Sequence, residues 1–346
     1  MGGLIVAAKY TRCPGATFEY PMSAEFHSVD LLIPEELAGK RLDAALARLM
    51  PEHSRTRIKA WIDAGQVLVG REPCRPRTVV EAGSRVIVRM SPDIPQPEVL
   101  PEKIALTRVH EDRDVLVVDK PAGLVVHPGA GNPTHTLQNA LLGLDPRLRE
   151  LPRAGIIHRL DKDTSGLLVV ARTLAAHTSL TRQLMARSVE REYLAVCVGV
   201  MTGGGTVDEP IGRHRTDRLR MAVRHDGRRA VTHYRLIERF RGHTYLKVKL
   251  ETGRTHQIRL HLSHLRHPIV GDPVYGGRLA LPKGATPRLI AALRGFKRQA
   301  LHAARLAFDH PRTGRRVSFE SVVPQDFAEL LDALREDARR LPRGAS

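Results

Sequence analysis

One acid set among cations marks the stretch most able to do chemistry. Asp161 stands between Arg159 and Lys162, with His158 close by. Cations beside a carboxylate favour its ionised form. An ionised Asp is a poor general acid but a serviceable nucleophile or general base. The same arrangement describes an ordinary ion pair, and spacing alone does not choose between the two. Tyr193, in Arg191-Glu192-Tyr193, opens an apolar run. Its ring is either a core residue with its hydroxyl at the edge or a surface on which a base stacks. Glu251-Thr252-Gly253 reads as a turn that throws Arg254, His256 and Gln257 onto its rim. Arg254 there suits a buried acid or a phosphate. His256, His261, His264 and His267 lack a His-x-x-x-His pair or an added Cys, and Arg259 and Arg266 repel a cation, so no metal is expected. Residues 212–229 carry seven arginines, at 213, 215, 218, 220, 224, 228 and 229, against Asp217 and Asp226. That density reads as a phosphate-gripping arm or as a solvated loop. No Gly-x-x-x-x-Gly-Lys-[Ser/Thr] and no Gly-x-Gly-x-x-Gly opens a helix after a strand, so no nucleotide cofactor is expected.

These residues need a frame. Gly166 to Ala171 is a short apolar run that reads as a buried strand, so Asp161 is expected at the lip of a core. Val115–Val118, Glu192–Val198, Ala230–Ile237, Thr244–Glu251 and Ile258–Leu262 read as further strands, and Leu137–Leu144 and Leu174–Ser188 as helices. Many strands and few helices predict an α+β domain over residues 103–335, on a mostly antiparallel mixed sheet with flanking helices and loops. A smaller α+β domain is expected over 29–91. Apolar residues at 42, 45, 46 and 49 and at 58, 61 and 62, the latter after Ser54 as N-cap, predict two helices; 66–69 and 85–88 predict strands. Arg55, Arg57 and Lys59 at the second helix start form an RNA-reading surface or a solvated face. Four prolines within 92–102 predict an extended linker. Residues 1–28 read as a flexible arm and 336–346 as a basic tail.

Composition narrows the partner. Among 346 residues, 55 Lys and Arg face 37 acids, a net +18. Such a surplus points to a polyanion, nucleic acid ahead of a membrane surface. The three cysteines are scattered, which argues against a disulfide framework and fits a reducing cytoplasm. No apolar run reaches the roughly 18–20 residues of a membrane span. Neither a signal peptide nor a myristoylation pattern is expected at the start.

Gly39-Lys40-Arg41-Leu42-Asp43, Ser54-Arg55-Thr56-Arg57-Ile58 and Gly65-Gln66-Val67-Leu68-Val69 resemble an S4 RNA-binding domain. His158-Arg159-Leu160-Asp161-Lys162-Asp163-Thr164-Ser165-Gly166, Arg191-Glu192-Tyr193 and Gly253-Arg254-Thr255-His256-Gln257-Ile258-Arg259 resemble the RluA family of pseudouridine synthases. Further matches run from Val126 to Asn132 and from His267 to Gly276, so the likeness spans about residues 30 to 335. The resemblance implies roles. Asp161 is the attacking carboxylate, and Arg254 pairs with it. Tyr193 lies beneath the base and assists proton removal at C5. Arg159 enters the helix where the base leaves, and His158 and Ile258 line the substrate site. Arg213, Arg215 and Arg220 of the arm, with Arg55, Arg57 and Lys59, hold phosphates. The reaction breaks C1′–N1 and joins C1′ to C5, so no cofactor is implied. The base must first be flipped out. Attack at C1′, a glycal route and addition at C6 all remain open. The implied substrate is 23S rRNA, at the helix 69 stem-loop, as free rRNA or in a pre-50S particle. A monomer contributing to ribosome assembly is expected. An N-glycosylase that releases the base, and an assembly factor without chemistry, are the competing readings.

Overall fold

The computed structural model describes residues 27–51, 53, 55–90, 99–129, 131–217 and 220–340. The chain divides into two compact units, Met1–Glu98 and Val99–Ser346. Most of the N-terminal arm, Ser54, most of the proline-rich segment, Arg218 and the last six residues of the tail lie outside the described residues.

The first unit comprises β1 (His27–Leu32), α1 (Leu42–Leu49), α2 (Arg55–Asp63), β2 (Val67–Val69), β3 (Glu72–Pro73) and β4 (Arg85–Met90), with sheet order β1-β4-β2-β3. Leu42, Ala45 and Leu46 of α1 and Ile58, Trp61 and Ile62 of α2 share one core with Val67, Val86 and Val88. Burying each larger side chain there contributes about 1.5–3 kcal/mol. One buried acid ties the helices together. Asp43, its side chain 5% exposed, accepts from Arg41 Nη2 at 2.8 Å and from Arg55 Nη2 at 2.9 Å. Arg55 is therefore engaged with α1. Arg57 lies over the Trp61 ring at 5.5 Å, and Lys59 Nζ is 4.0 Å from Asp63.

The second unit contains β5 (Thr107–Glu111), β6 (Val115–Lys120), α3 (Leu137–Leu144), β7 (Ser165–Ala171), α4 (Leu174–Met185), β8 (Glu190–Val198), β9 (Gly205–Asp208), β10 (Ile211–Arg213), β11 (Met221–Val223), β12 (Val231–Arg239), β13 (His243–Leu250), α5 (Gln257–His264), α6 (Pro287–Gly295), β14 (Leu301–Asp309), β15 (Arg316–Glu320) and α7 (Gln325–Arg339). Among the described residues nine strands form one sheet, in the order β5-β6-β7-β14-β8-β13-β12-β9, with β15 on β14. Its neighbours are antiparallel, except β7 and β14, which run parallel. The fold is α+β with a mixed sheet. β10 and β11 form a separate hairpin.

β7 is buried along its whole length because both faces are covered. Leu167 and Val169 pack with Ala176 and Leu180 of α4, while Leu168 and Val170 join the larger core on the other face. This is the period-two alternation of a strand, hidden in sequence because both sets are apolar. Gly166 has φ +113°, and a Cβ there would lie 2.3 Å from Ala303 O. Only glycine lets β14 approach so closely.

Three readings of the sequence are corrected. Residues 99–102 are not linker: Leu100 O accepts from Asn139 Nδ2 at 2.8 Å, and Glu102 N donates to Asn139 O at 3.0 Å, so they belong to the second unit. The chain is also helical past 335, because α7 buries Phe327, Leu330, Leu331, Leu334 and Asp337 along one face. Asp337 accepts from Thr286 N at 2.7 Å and from Arg241 Nη1 at 3.1 Å. Lastly, Ile258–Leu262 is helix. Ile258, Leu260 and Leu262 alternate with Arg259, His261 and Ser263, the pattern of a strand with one wet face. The polar set is not wet: Gln257, Arg259 and His261 are buried, and each has polar partners inside the unit.

Candidate active site

Asp161 sits in the turn that feeds β7, and the turn is pinned from several sides. Its own carbonyl accepts from Thr164 N at 3.1 Å. Below it lies Lys120, the last residue of β6, fully buried. Lys120 Nζ donates to the carbonyls of Pro121, Leu124 and Lys162 at 2.8, 2.9 and 2.9 Å. Gly123 N also donates to Lys162 O, at 2.9 Å. Three carbonyls match the three protons of an ammonium. Burial nonetheless pushes the Lys120 pKa down to about 7, against Asp163 and Asp161, which favour its charge. Arg298 Nη1 holds Asp163 O at 3.3 Å, and Gln299 Nε2 holds Thr164 Oγ1 at 3.0 Å.

The Asp161 side chain is 16% exposed, and the guanidinium on it belongs to Arg259, not Arg254. Arg259 Nη1 donates to Asp161 Oδ2 at 3.1 Å. Its other edge is held by the buried Asp272, through Nε to Oδ2 at 2.7 Å and Nη2 to Oδ1 at 2.8 Å. Asp272 Oδ1 also accepts from Val274 N and Tyr275 N at 2.8 and 3.0 Å. Burial works against the charge on Arg259, but the bonds from Asp272 and Asp161 outweigh it and raise its pKa. Burial likewise opposes ionisation of Asp272, and Arg259 outweighs it, lowering that pKa. The helix explains the exchange of arginines. Arg259 is in the first turn of α5, facing the acids. Arg254 precedes α5, and its Nε donates to Arg229 O at 3.2 Å, at the base of the arginine arm. Burial, Arg228 and Arg187 all lower its pKa.

Strand register brings Tyr193 to the same place. Gly166 of β7 pairs with Ala303 of β14, which pairs with Tyr193 of β8. Two interstrand steps of about 4.8 Å therefore separate Tyr193 from the start of β7. The ring is 6% exposed. Burial, aided by Asp161 and opposed by Arg191, raises its pKa, so the phenol is neutral.

Asp161 and Tyr193 line one cavity of about 860 Å³. His158, Arg159, Arg254 and Ile258 line it as well, as do Arg153, Arg187, Arg191, His256 and Arg259. Six guanidiniums thus face two carboxylates, Asp161 and Glu251. Nδ1 of His127, Nδ1 of His158 and Nε of Arg191 are buried without a hydrogen-bond partner, and all three residues line this cavity. His158 Nε2 accepts from Val169 N at 3.2 Å, so its neutral ring carries the proton on Nδ1. Burial and Arg191 push its pKa down to about 3. Arg213, Arg215 and Arg220 lie on the exposed β10–β11 hairpin and do not line the cavity.

The grouped histidines go to separate partners. His261 meets Thr232 Oγ1 at 2.8 Å and Glu209 O at 3.0 Å, and His267 Nδ1 meets Val198 O at 2.9 Å. Lys120, Arg259 and Asp272 were not singled out from sequence as site residues, and His256 was placed on the rim of a turn without a role. Reading 257–264 as a helix would have turned Arg259 inward. Nothing local points to Lys120 or Asp272.

A carboxylate gripped at one oxygen, a neutral phenol two strands away and a cationic rim suit a polyanionic substrate whose reacting part is uncharged. The chain belongs to the RNA pseudouridylate synthase family, whose model matches residues 114–264, and an S4 domain model matches residues 40–86. It is an RNA pseudouridine synthase, an isomerase. It is 59% identical over 309 residues to "Ribosomal large subunit pseudouridine synthase D" of Xanthomonas campestris pv. campestris, covering 89% of this chain and 93% of that protein. Proteins of the same name from Pseudomonas aeruginosa and Escherichia coli K12 are 55% and 51% identical, over 88% of this chain and 95% and 94% of theirs. The solved structure of Human RNA Pseudouridylate Synthase Domain Containing 4 aligns with a TM-score of 0.51 at 28% identity, over 66% of this chain and 93% of that one. Human RNA Pseudouridylate Synthase Domain Containing 1 aligns at 0.50 and 27%, over 70% and 98%. Among the described residues no helix is long and apolar enough to cross a membrane.

Proposed function

We propose that this chain converts uridines of the large-subunit rRNA to pseudouridine, with Asp161 as nucleophile. The observation that carries the reading is the asymmetry of Asp161. Arg259 occupies Oδ2 and leaves Oδ1 to react, inside a cavity rimmed by arginines. The relatives named for the ribosomal large subunit support the substrate class.

The target uridine is flipped out of its stack into the cavity. Arg159, exposed at the mouth, fills the gap it leaves. Oδ1 of Asp161 attacks the nucleotide at C1′ or at C6, or takes a sugar proton on a glycal route. The C1′–N1 bond breaks and its electron pair stays with the uracil. Tyr193 and Ile258 hold the detached base between them while it turns to present C5. C1′ then bonds to C5 as Asp161 gives back the bond or the proton it took and is restored as a carboxylate; the C5 proton leaves, with the Tyr193 hydroxyl assisting, and N1 takes up a proton from water. Atoms and electrons balance without an oxidant, phosphate donor or metal. Arg254 and Arg187 at the rim, Arg213, Arg215 and Arg220 of the arm, and Arg57 and Lys59 of the first unit contact phosphates. Such contacts position the RNA without reading it. The reading extends to the helix 69 stem-loop as target, to a contribution to ribosome assembly, and to a cytoplasmic monomer acting on rRNA or a pre-50S particle.

Asp161→Asn tests it. Release of tritium from uridine labelled at C5 should fall below detection, while filter-binding affinity for the rRNA stays within about threefold, since phosphate contacts dominate affinity. Wild-type tritium release by that variant refutes the nucleophile. Free uracil among wild-type products would convert the reading to a glycosylase.

A further inference from the structure

We infer that Tyr275 is a positioning residue: a directed hydrogen-bond chain runs from the arginine arm through its hydroxyl to His256, whose Nε2 stands 3.9 Å from the Asp161 carboxylate. The inference rests on Asp161 being the reacting group.

Tyr275 follows α5 and is 6% exposed. Its backbone is held at both ends, N to Asp272 Oδ1 at 3.0 Å and O to Ser263 Oγ at 3.3 Å. The ring has the guanidinium of Arg220, from the arm, 5.5 Å from its centroid, and that of Arg259 at 5.3 Å. His256 meets it edge-on at 5.6 Å and 77°. The hydroxyl has two partners from different elements. Met221 N, in the arm's second strand, is 2.9 Å away, and His256 Nδ1, in the turn before α5, is 3.0 Å away.

The direction of the protons follows. Met221 N–H only donates, so it takes a lone pair of the hydroxyl. The hydroxyl proton then goes to His256 Nδ1. Were Nδ1 to donate instead, a buried O–H would be left without an acceptor, which is unfavourable. The neutral imidazole therefore carries its proton on Nε2. Nε2 is 3.9 Å from Asp161 Oδ1, the oxygen Arg259 leaves open. The groups facing His256 are Asp161 and Arg159 from the turn before β7, Arg259 on α5, and Asp272 and Tyr275 beyond it. Burial, opposed by the acids and reinforced by the arginines, lowers the His256 pKa and keeps the ring neutral. The backbone strain fits this purpose: His256 is left-handed, φ 58°, at the N-cap of α5. RNA gripped by Arg213, Arg215 and Arg220 thus bears on the hairpin whose Met221 sets the chain that orients His256 beside Asp161.

The test uses the full-length protein and an rRNA transcript with uridine tritiated at C5. Tyr275→Phe keeps the ring and removes only the hydroxyl. It should lower kcat about tenfold, the effect of one hydrogen bond, with KM changed less than about threefold. Protonation of Nδ1 becomes easier without the opposing O–H, so the acid limb of the kcat–pH profile moves to higher pH. His256→Gln should abolish that limb, and adding Tyr275→Phe to it should change kcat less than about twofold, the signature of one shared pathway. Should Tyr275→Phe not fold, Met221→Pro, which removes the donating N–H together with the Met side chain and fixes φ, carries the same comparison in both backgrounds, with Met221→Ala as the control for the lost side chain. Wild-type kcat and an unmoved limb in Tyr275→Phe, or multiplicative effects in the double variant, overturn the inference. Asp161→Asn in the same assay separates the two layers. If it is active, the reading of Asp161 fails; if it is inactive while Tyr275→Phe behaves as wild type, only the coupling fails.

Discussion

Asp272→Asn isolates the support behind Asp161. In the wild type one buried carboxylate takes four N–H donors: Arg259 Nε and Nη2, Val274 N and Tyr275 N, at 2.7 to 3.0 Å. An asparagine oxygen in the Oδ1 position keeps Nη2 and the two backbone donors. Its amide nitrogen then faces Arg259 Nε, donor against donor, where a 2.7 Å charge-assisted bond stood. Breaking a buried pair by neutralising one partner costs about 3–5 kcal/mol. Asp161 remains as a partial counter-charge for Arg259, so the lower end, about 3 kcal/mol, is expected. At about 2–4 °C per kcal/mol for a unit of this size, the melting temperature falls by about 6–12 °C. Catalysis falls as well, by a separate route. Arg259, released on one edge, closes onto Asp161 and engages the oxygen that must react. A loss of at least tenfold in kcat, about 1.4 kcal/mol, is expected at a temperature where the variant is folded. Thermal unfolding followed by circular dichroism and tritium release from C5-labelled RNA read the two effects. A melting temperature within about 2 °C of wild type, with unchanged kcat, would refute the reasoning.

Lys120→Met removes the donor shared by three part-buried carbonyls; at about 1 kcal/mol each, destabilisation of about 3 kcal/mol and slower turnover are expected, and urea unfolding at wild-type midpoint would contradict this. Acid should destabilise the fold in a defined window. Burial is the leading cause that pushes His158 down to about 3 and His127 and His243 down to about 4. Below their ordinary value of about 6.5 the unfolded chain takes up protons that the folded chain refuses, so stability falls as pH drops from 6.5 toward 4, by up to roughly 1.4 kcal/mol per unit for each residue. Urea midpoints that stay level between pH 7 and 4.5 would count against it. Removal of residues 1–98 should weaken rRNA binding and flatten its salt dependence, by about 0.9 in slope for each phosphate that the first unit neutralises, while turnover at saturating RNA changes little. An unaltered slope would remove the first unit from the phosphate-binding surface.

Local sequence determined the short apolar runs that became strands, the helical spacing of 42–49, the helix over 137–144, and the placement of one acid among cations at the mouth of a buried strand. These are short-range properties: a residue's neighbours within a turn or a strand set them. The net charge of +18 and the motif order were likewise legible without a structure. Tertiary structure alone decided the partnerships. The alternation from Ile258 to Leu262 suits a strand as well as a helix; what makes it α5 is that Gln257, Arg259 and His261 find buried polar partners in β12, in the turn of Asp161 and at Asp272. That choice carried the arginine with it, giving Asp161 to Arg259 and sending Arg254 to the arm. Lys120 lies 41 residues before Asp161 and Asp272 lies 111 after it. Groups so far apart in the chain become neighbours only when β6, β7 and the segment after α5 pack together. A carboxylate's surroundings in space, and so its chemistry, are set by that packing.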